Sequence, residues 1–152
     1  MEVATSTEEA HNQTNNRAYV FPGQGSQSVG MGAELFESSQ AARETFEEAD
    51  DSLGFPLSRL IFEGPATDLQ NTANSQPAIM TMSIAAWRTW QEMQGSQAVS
   101  AKAVAGHSLG EYTSLVAADV IDFSDAVRLV RKRGELMNQA AVNRPGAMAA
   151  IL

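Results

Sequence analysis

The 152-residue chain lacks cysteine altogether, so it can form no disulfide, no thiolate metal site and no cysteine nucleophile. Cations are scarce as well, with ten Lys and Arg against eighteen Asp and Glu. The resulting net charge of −8 disfavours nucleic-acid binding, which needs clustered Lys and Arg. Only two histidines are present, His11 and His107, and any serine or metal catalysis within this chain must draw on them.

Long apolar stretches are also missing. No run reaches the roughly 18 residues that a membrane span needs, and the N-terminus lacks the apolar segment of a signal peptide. We therefore expect a cytoplasmic protein with no membrane partner. Because 43% of the residues are hydrophobic and only 18% are charged, the composition is that of one globular domain with a sizeable core.

The order of apolar segments along the chain predicts the fold class. Residues 1–17 are polar and predict a flexible tail. Apolar periodicity and turn residues then predict two strands, over 18–21 and 102–106, and four helices, over 32–53, 77–93, 109–118 and 124–141. The second of these helices is predicted to begin at Pro77, because proline prefers the first helical position. Strands alternating with helices indicate an α/β domain with a parallel sheet.

One serine lies in a pattern typical of nucleophiles. Gly106–Gly110 matches G-x-S-x-G between a predicted strand and a predicted helix, and Ser108 is its central residue. Glycines two residues before and after the serine remove side chains that would collide in so tight a turn. The backbone N–H of Leu109 would then stabilise an oxyanion. The alternative is a loop serine that caps a helix N-terminus.

Two further residues stand out. Gln24 lies between two glycines just after the first strand, where its amide could donate to an oxyanion, although a plain glycine-rich turn is the alternative. Arg133 shares a helix face with its apolar neighbours Leu129, Leu136 and Met137. Arg128, Arg131 and Lys132 can instead reach solvent. A carboxylate is the best planar partner for this arginine, although it could also snorkel or pair with a structural acid.

His107 is a poor general base for Ser108 despite being adjacent to it. Consecutive residues at the end of a strand point in opposite directions, so its ring is predicted to pack behind the turn. His11 lies in the predicted tail. The sequence therefore offers no well-placed histidine for the base that a serine nucleophile needs.

Four segments in a fixed order closely resemble the malonyl-CoA:acyl carrier protein transacylases, the acyltransferases of fatty acid and polyketide synthesis. They are FPGQGSQ at 21–27, QPA at 76–78, GHSLGEY at 106–112 and VIDFSDAVRLVRKRGELM at 120–137. The resemblance implies that Ser108 takes the malonyl group from malonyl-CoA and that the phosphopantetheine thiol of acyl carrier protein then accepts it, with no cofactor and no metal.

The resemblance also assigns roles to individual residues. Gln24 and the Leu109 N–H correspond to the oxyanion hole, and Arg133 corresponds to the arginine that binds the malonyl carboxylate. His107 corresponds to the histidine before the nucleophile, and Gln76 to a glutamine close to the site. The discrete enzyme matches better than a domain of a multidomain synthase.

Family members are much longer, which predicts that this chain is an N-terminal fragment. Residues 18–143 would form part of an α/β-hydrolase-like large subdomain, and 144–152 would begin an inserted ferredoxin-like subdomain. The catalytic histidine would lie downstream, so we expect the chain alone to be inactive and poorly stable. The alternative is a non-catalytic interaction protein, or a split half that docks on a complementary chain.

Overall fold

The architecture is a two-stranded parallel sheet flanked by seven helices within the described part of the chain. A computed structural model describes residues 17–95, 101–143 and Gly146. The elements are β1 (Ala18–Phe21), α1 (Ala33–Ser38), α2 (Gln40–Leu53), α3 (Leu57–Glu63), α4 (Ala66–Gln70), α5 (Thr72–Gln94), β2 (Ala103–Gly106), α6 (Leu109–Ala117) and α7 (Phe123–Asn143). This arrangement confirms the predicted α/β class.

The sheet brings the ends of the two strands together. β1 and β2 pair in parallel from Ala18 opposite Ala103 to Phe21 opposite Gly106. Arg17, which the sequence assigned to the tail, extends this pairing because its carbonyl accepts a hydrogen bond from the Lys102 N–H at 2.9 Å. The rest of the predicted tail, and the predicted run 147–152, lie outside the described residues.

The helical core lies mainly between α5 and its neighbours α2, α6 and α7. Its largest fully buried apolar side chains are Phe46, Leu57, Ile61, Leu69, Met80, Ile84, Leu109, Val127 and Val130. Among the described helices, none is both long and apolar enough to cross a lipid bilayer.

Two sequence-based helix predictions were wrong in detail. The helix predicted over 32–53 is interrupted at Ser39, whose extended backbone ends α1 and whose hydroxyl caps α2. The connecting stretch that follows contains α3 and α4. Serine competes with helical backbone bonds through its own hydroxyl, which is why an apolar periodicity that runs through Ser39 does not guarantee one helix.

Pro77 lies inside α5 instead of starting it, because the helix begins five residues earlier at Thr72. Proline has no N–H, so it cannot donate to the carbonyl four residues before it, that of Ala73. Arg131 of α7 supplies the missing donor, with its Nη1 lying 3.1 Å from the Ala73 oxygen. A contact between two helices thus compensates for the proline.

Candidate functional site

The site lies at the carboxyl ends of the two paired strands. The loop after β1 carries Gln24, and the turn after β2 carries Ser108. The two segments touch, because a Cβ added to Gly110 would lie 2.3 Å from the carbonyl oxygen of Phe21. In open α/β sheets this edge is where ligands bind.

Ser108 occupies a strained turn. Its backbone has φ 54° and ψ −104°, a conformation that non-glycine residues rarely adopt, and its side chain is exposed. A Cβ on Gly106 would lie 1.9 Å from the carbonyl of Gly110. The prediction that both flanking glycines are sterically required is therefore confirmed. Strain held at one polar residue is a frequent mark of a functional site.

Leu109 begins α6 directly after the serine. Its side chain is fully buried and anchors the turn in the core. The first N–H groups of an α-helix have no intrahelical partner, and that of Leu109 is one of them. The helix N-terminus therefore places a backbone donor and a partial positive charge beside Ser108.

Arg133 of α7 lies beside the serine. Its Nη2 donates to Ser108 Oγ at 3.1 Å, and its Nη1 donates to the side-chain oxygen of Gln76 at 2.5 Å. Gln76 is fully buried, and its own Nε2 lies 3.3 Å from the sulfur of Met137. The structure thus brings Ser108, Arg133 and Gln76, all three predicted from the sequence, into one hydrogen-bonded group.

The position of α7 follows from a close crossing with the first turn of α5. A Cβ on Gly134 would lie 2.5 Å from the carbonyl oxygen of Thr72, so only glycine fits there without displacement. Asn138 adds a hydrogen bond from its Nδ2 to Asn71 Oδ1 at 2.5 Å. Because Arg133 directly precedes Gly134, this crossing determines how closely the guanidinium approaches Ser108.

Two predictions about the faces of α7 were wrong. Its predicted apolar neighbours Leu129 and Leu136 are 49% and 52% exposed, so this face of α7 is not buried among the described residues. Arg131, which was predicted to reach solvent, is instead half-buried against α5. The packed face of α7 is the neighbouring one, with Ala126, Val127, Val130 and Gly134.

The Arg133 guanidinium donates its hydrogen bonds to two uncharged side chains, Gln76 and Ser108. The ion pairs of α7 involve its other cations: Arg128 with Asp125, Arg131 with Glu135 and Lys132 with Glu135. In the ranges 17–95 and 101–143 no carboxylate pairs with Arg133, so the alternative of a structural acid finds no support there. Its positive charge is therefore available to an anionic ligand.

Gln24 and His107 lie on the β1 side of the turn. The Gln24 Nε2 donates to Thr72 Oγ1 at 3.0 Å, which directs the amide toward the start of α5 and leaves its second N–H for another acceptor. The exposed His107 ring lies against Gly23, where an added Cβ would be 2.6 Å from Nδ1. Within the described ranges the hydrogen-bond partner of Ser108 Oγ is Arg133 and not His107.

The chain is similar to a known protein family over most of its length. The model of the acyl transferase domain family matches residues 18–152. The chain belongs to this family. Its relatives include the malonyl CoA-acyl carrier protein transacylases of Bacillus subtilis strain 168 and Escherichia coli K12. Each is 53% identical over 135 residues, which are 89% of this chain but only 41% and 43% of those proteins.

Solved structures agree with the family assignment. An acyl carrier protein S-malonyltransferase from Vibrio cholerae matches with a TM-score of 0.76 and 50% identity, over 81% of this chain and 39% of that one. The transacylase of Coxiella burnetii gives 0.79 and 42%, over 84% and 39%. A malonyl-transacylase in complex with a type II PKS acyl-carrier protein gives 0.76 and 50%, over 81% and 39%.

These matches confirm the resemblance and the acyltransferase fold. The chain spans less than half the length of the relatives that it matches.

The sequence assigned no role to three residues of this candidate site. Tyr112 packs its ring under the Arg133 guanidinium, Met137 orients Gln76, and Thr72 binds Gln24. Tyr112 follows Ser108 by four residues, so helical spacing could have identified it, as it identified Met137 as a neighbour of Arg133. Nothing in the sequence pattern signals Thr72. Across the described ranges, no three acidic or histidine side chains lie close enough to bind a metal ion.

Proposed function

We propose that the protein transfers the malonyl group from malonyl-CoA to the phosphopantetheine thiol of acyl carrier protein through a malonyl-serine ester at Ser108, without a cofactor and in the cytoplasm. The observation that carries this proposal is the 3.1 Å contact between Arg133 Nη2 and Ser108 Oγ. In a malonyl thioester one methylene separates the carboxylate from the carbonyl carbon. Because Ser108 and Arg133 are in contact, the serine can reach the carbonyl carbon while the guanidinium binds the carboxylate of the same malonyl group.

The first half-reaction forms the ester. Ser108 Oγ loses its proton to a base and bonds to the thioester carbonyl carbon, and the C–S bond then breaks to release CoA as a thiol. The Leu109 N–H and the free N–H of Gln24 would stabilise the oxyanion in between. Arg133 would exchange its bond to Ser108 for a two-point contact with the malonyl carboxylate while Gln76 retains Nη1.

The second half-reaction reverses these bond changes, with the phosphopantetheine thiol in place of CoA. The phosphopantetheine sulfur attacks the ester carbonyl, and Ser108 leaves with the proton restored. Within the described ranges, Ser108 Oγ is hydrogen-bonded to Arg133 and not to a base. We therefore expect Ser108 of the 152-residue chain by itself to be acylated slowly. The base would be a histidine contributed by further polypeptide.

The test is Arg133→Ala, assayed with malonyl-CoA and acetyl-CoA in parallel. Removing a charge-assisted contact to the carboxylate should lower Ser108 labelling from malonyl-CoA by about 10- to 100-fold relative to labelling from acetyl-CoA. Labelling is read by intact mass, in this chain and in a longer natural form. Arg128→Ala, on the same helix and paired with Asp125, is the matched control. Equal losses for both acyl groups would refute the carboxylate role of Arg133.

A docking role without catalysis is the second candidate. It is favoured by exposed apolar side chains on α7, where Leu129 and Leu136 border Arg133. Co-purification of a stable second chain together with no labelling of Ser108 in any form would favour this candidate. Labelling that disappears in Ser108→Ala would favour the enzyme.

A further inference from the structure

We propose that the ring of Tyr112 is the positioning group that holds the Arg133 guanidinium over Ser108 and thereby determines the preference for an acyl group bearing a carboxylate. This inference rests on the proposed function and extends it to a residue outside the predicted site. The carbon at the centre of the guanidinium lies 5.6 Å from the centre of the Tyr112 ring, over its face. That separation is within the roughly 6 Å at which a cation is attracted by an aromatic ring.

Tyr112 is itself held firmly. It lies one turn after Ser108 on α6, and its half-buried ring packs against the hydrophobic core. Ser108 and the Tyr112 ring therefore both lie at the first turn of α6. Arg133 approaches from α7, so the ring contact links the two helices at the site.

The ring acts on a part of the guanidinium that the hydrogen bonds leave uncovered. The N–H groups of arginine point outward in its plane, toward Gln76 and Ser108. The bond to Ser108 must break when a malonyl carboxylate binds, which leaves one hydrogen bond to hold a long flexible side chain. The ring covers a face of the guanidinium and does not compete for the in-plane donors, so this contact persists when the carboxylate arrives.

The ring also leaves the charge of Arg133 in place. A carboxylate in the same position would hold the guanidinium equally well but would neutralise it, and a second carboxylate would then bind weakly. An aromatic face attracts the cation without cancelling its charge. Arg131 shows the contrast, because it lies 5.1 Å from the centre of the Phe55 ring but is also paired with Glu135.

The experiment measures binding in the full chain carrying Ser108→Ala, so that no acyl transfer occurs. Dissociation constants for malonyl-CoA and acetyl-CoA are determined by calorimetry, and their ratio is the preference. Tyr112→Phe, which keeps the ring, should retain this ratio within about twofold, and Tyr112→Leu should lower it about fivefold to tenfold. Phe55→Leu removes the ring from Arg131 instead and should leave the ratio unchanged.

A second readout follows Arg133 directly. The Nε–H resonance of Arg133, assigned by its loss in Arg133→Lys, should shift in Tyr112→Leu and stay in place in Tyr112→Phe. Circular dichroism checks that each variant folds, and Tyr112→Met replaces Tyr112→Leu if the latter does not.

The outcomes separate the two proposals. A preference for malonyl-CoA that survives in Tyr112→Leu or Tyr112→Met overturns the role of Tyr112. Equal loss in Tyr112→Phe and Tyr112→Leu overturns it too, since the hydroxyl would then be responsible. A parent chain that binds both ligands equally overturns the proposed function itself, and the inference with it.

Discussion

At the scale of single residues, the site depends on absent Cβ atoms as much as on the polar side chains that are present. The Ser108 turn closes because Gly106 and Gly110 lack the Cβ atoms that would meet backbone. This requirement was readable from the sequence, since the motif spacing encodes it within five residues. The partnership of Arg133 with Gln76 was not, because the two residues are 57 positions apart and only folding brings them together.

Gly106→Ala should lower the free energy of unfolding by about 3 kcal/mol or more, because its Cβ would overlap the Gly110 carbonyl and overpack a site with no room to adjust. Gly54→Ala is the control. Gly54 has a left-handed φ of 72°, which Gly106 does not, but it has open space around it, so Gly54→Ala should cost only about 1–2 kcal/mol. Urea denaturation measures both, and equal losses would mean that the collision is relieved elsewhere.

Individual elements show where periodicity misleads. The apolar spacing over residues 32–53 is helical, yet Ser39 divides it into α1 and α2. The Ser39 hydroxyl accepts from the Ala42 N–H at 3.2 Å and bonds to Thr89 of α5 at 2.8 Å. A tertiary partner thus stabilises the break. In α5 a tertiary partner has the opposite effect. Arg131 donates to the Ala73 carbonyl that Pro77 cannot reach, and the helix continues through the proline.

Ser39→Ala should destabilise the protein by about 2 kcal/mol, since it removes the cap of α2 and leaves the buried Thr89 hydroxyl without this partner. The neighbouring Ser38 is exposed, and its hydroxyl donates to carbonyls of its own helix. Ser38→Ala should therefore change the unfolding free energy by less than about 0.5 kcal/mol. Similar denaturation midpoints for the two variants would contradict the capping role of Ser39.

At the scale of the whole molecule, apolar side chains are exposed on both β1 and α7 within the described ranges. Val20 of β1 is 78% exposed, and Leu129 and Leu136 of α7 are about half exposed. The two strands of the sheet pair only with each other within the described ranges. Contiguous exposed apolar side chains and open strand edges favour association with other polypeptide.

We therefore expect the chain to bind the dye ANS while folded. The double variant Leu129→Gln/Leu136→Gln should reduce the dye fluorescence, with a change in unfolding free energy within about 0.5 kcal/mol because both side chains are already exposed. A double change at core residues Val127 and Val130 to Ala is the matched comparison and should instead unfold the chain. A parent chain that melts cooperatively and binds no dye would contradict this expectation.

The sequence by itself determined the α/β class, the strand–serine–helix turn and the candidates Gln24, Gln76, Ser108 and Arg133, because each depends on short-range spacing or on a motif. Only the tertiary structure decided that Arg133 contacts Ser108 and Gln76, that Tyr112 supports it, and that Pro77 is accommodated inside a helix. These contacts join α5, α6 and α7, and no local pattern records which distant side chains close packing will bring within hydrogen-bonding distance.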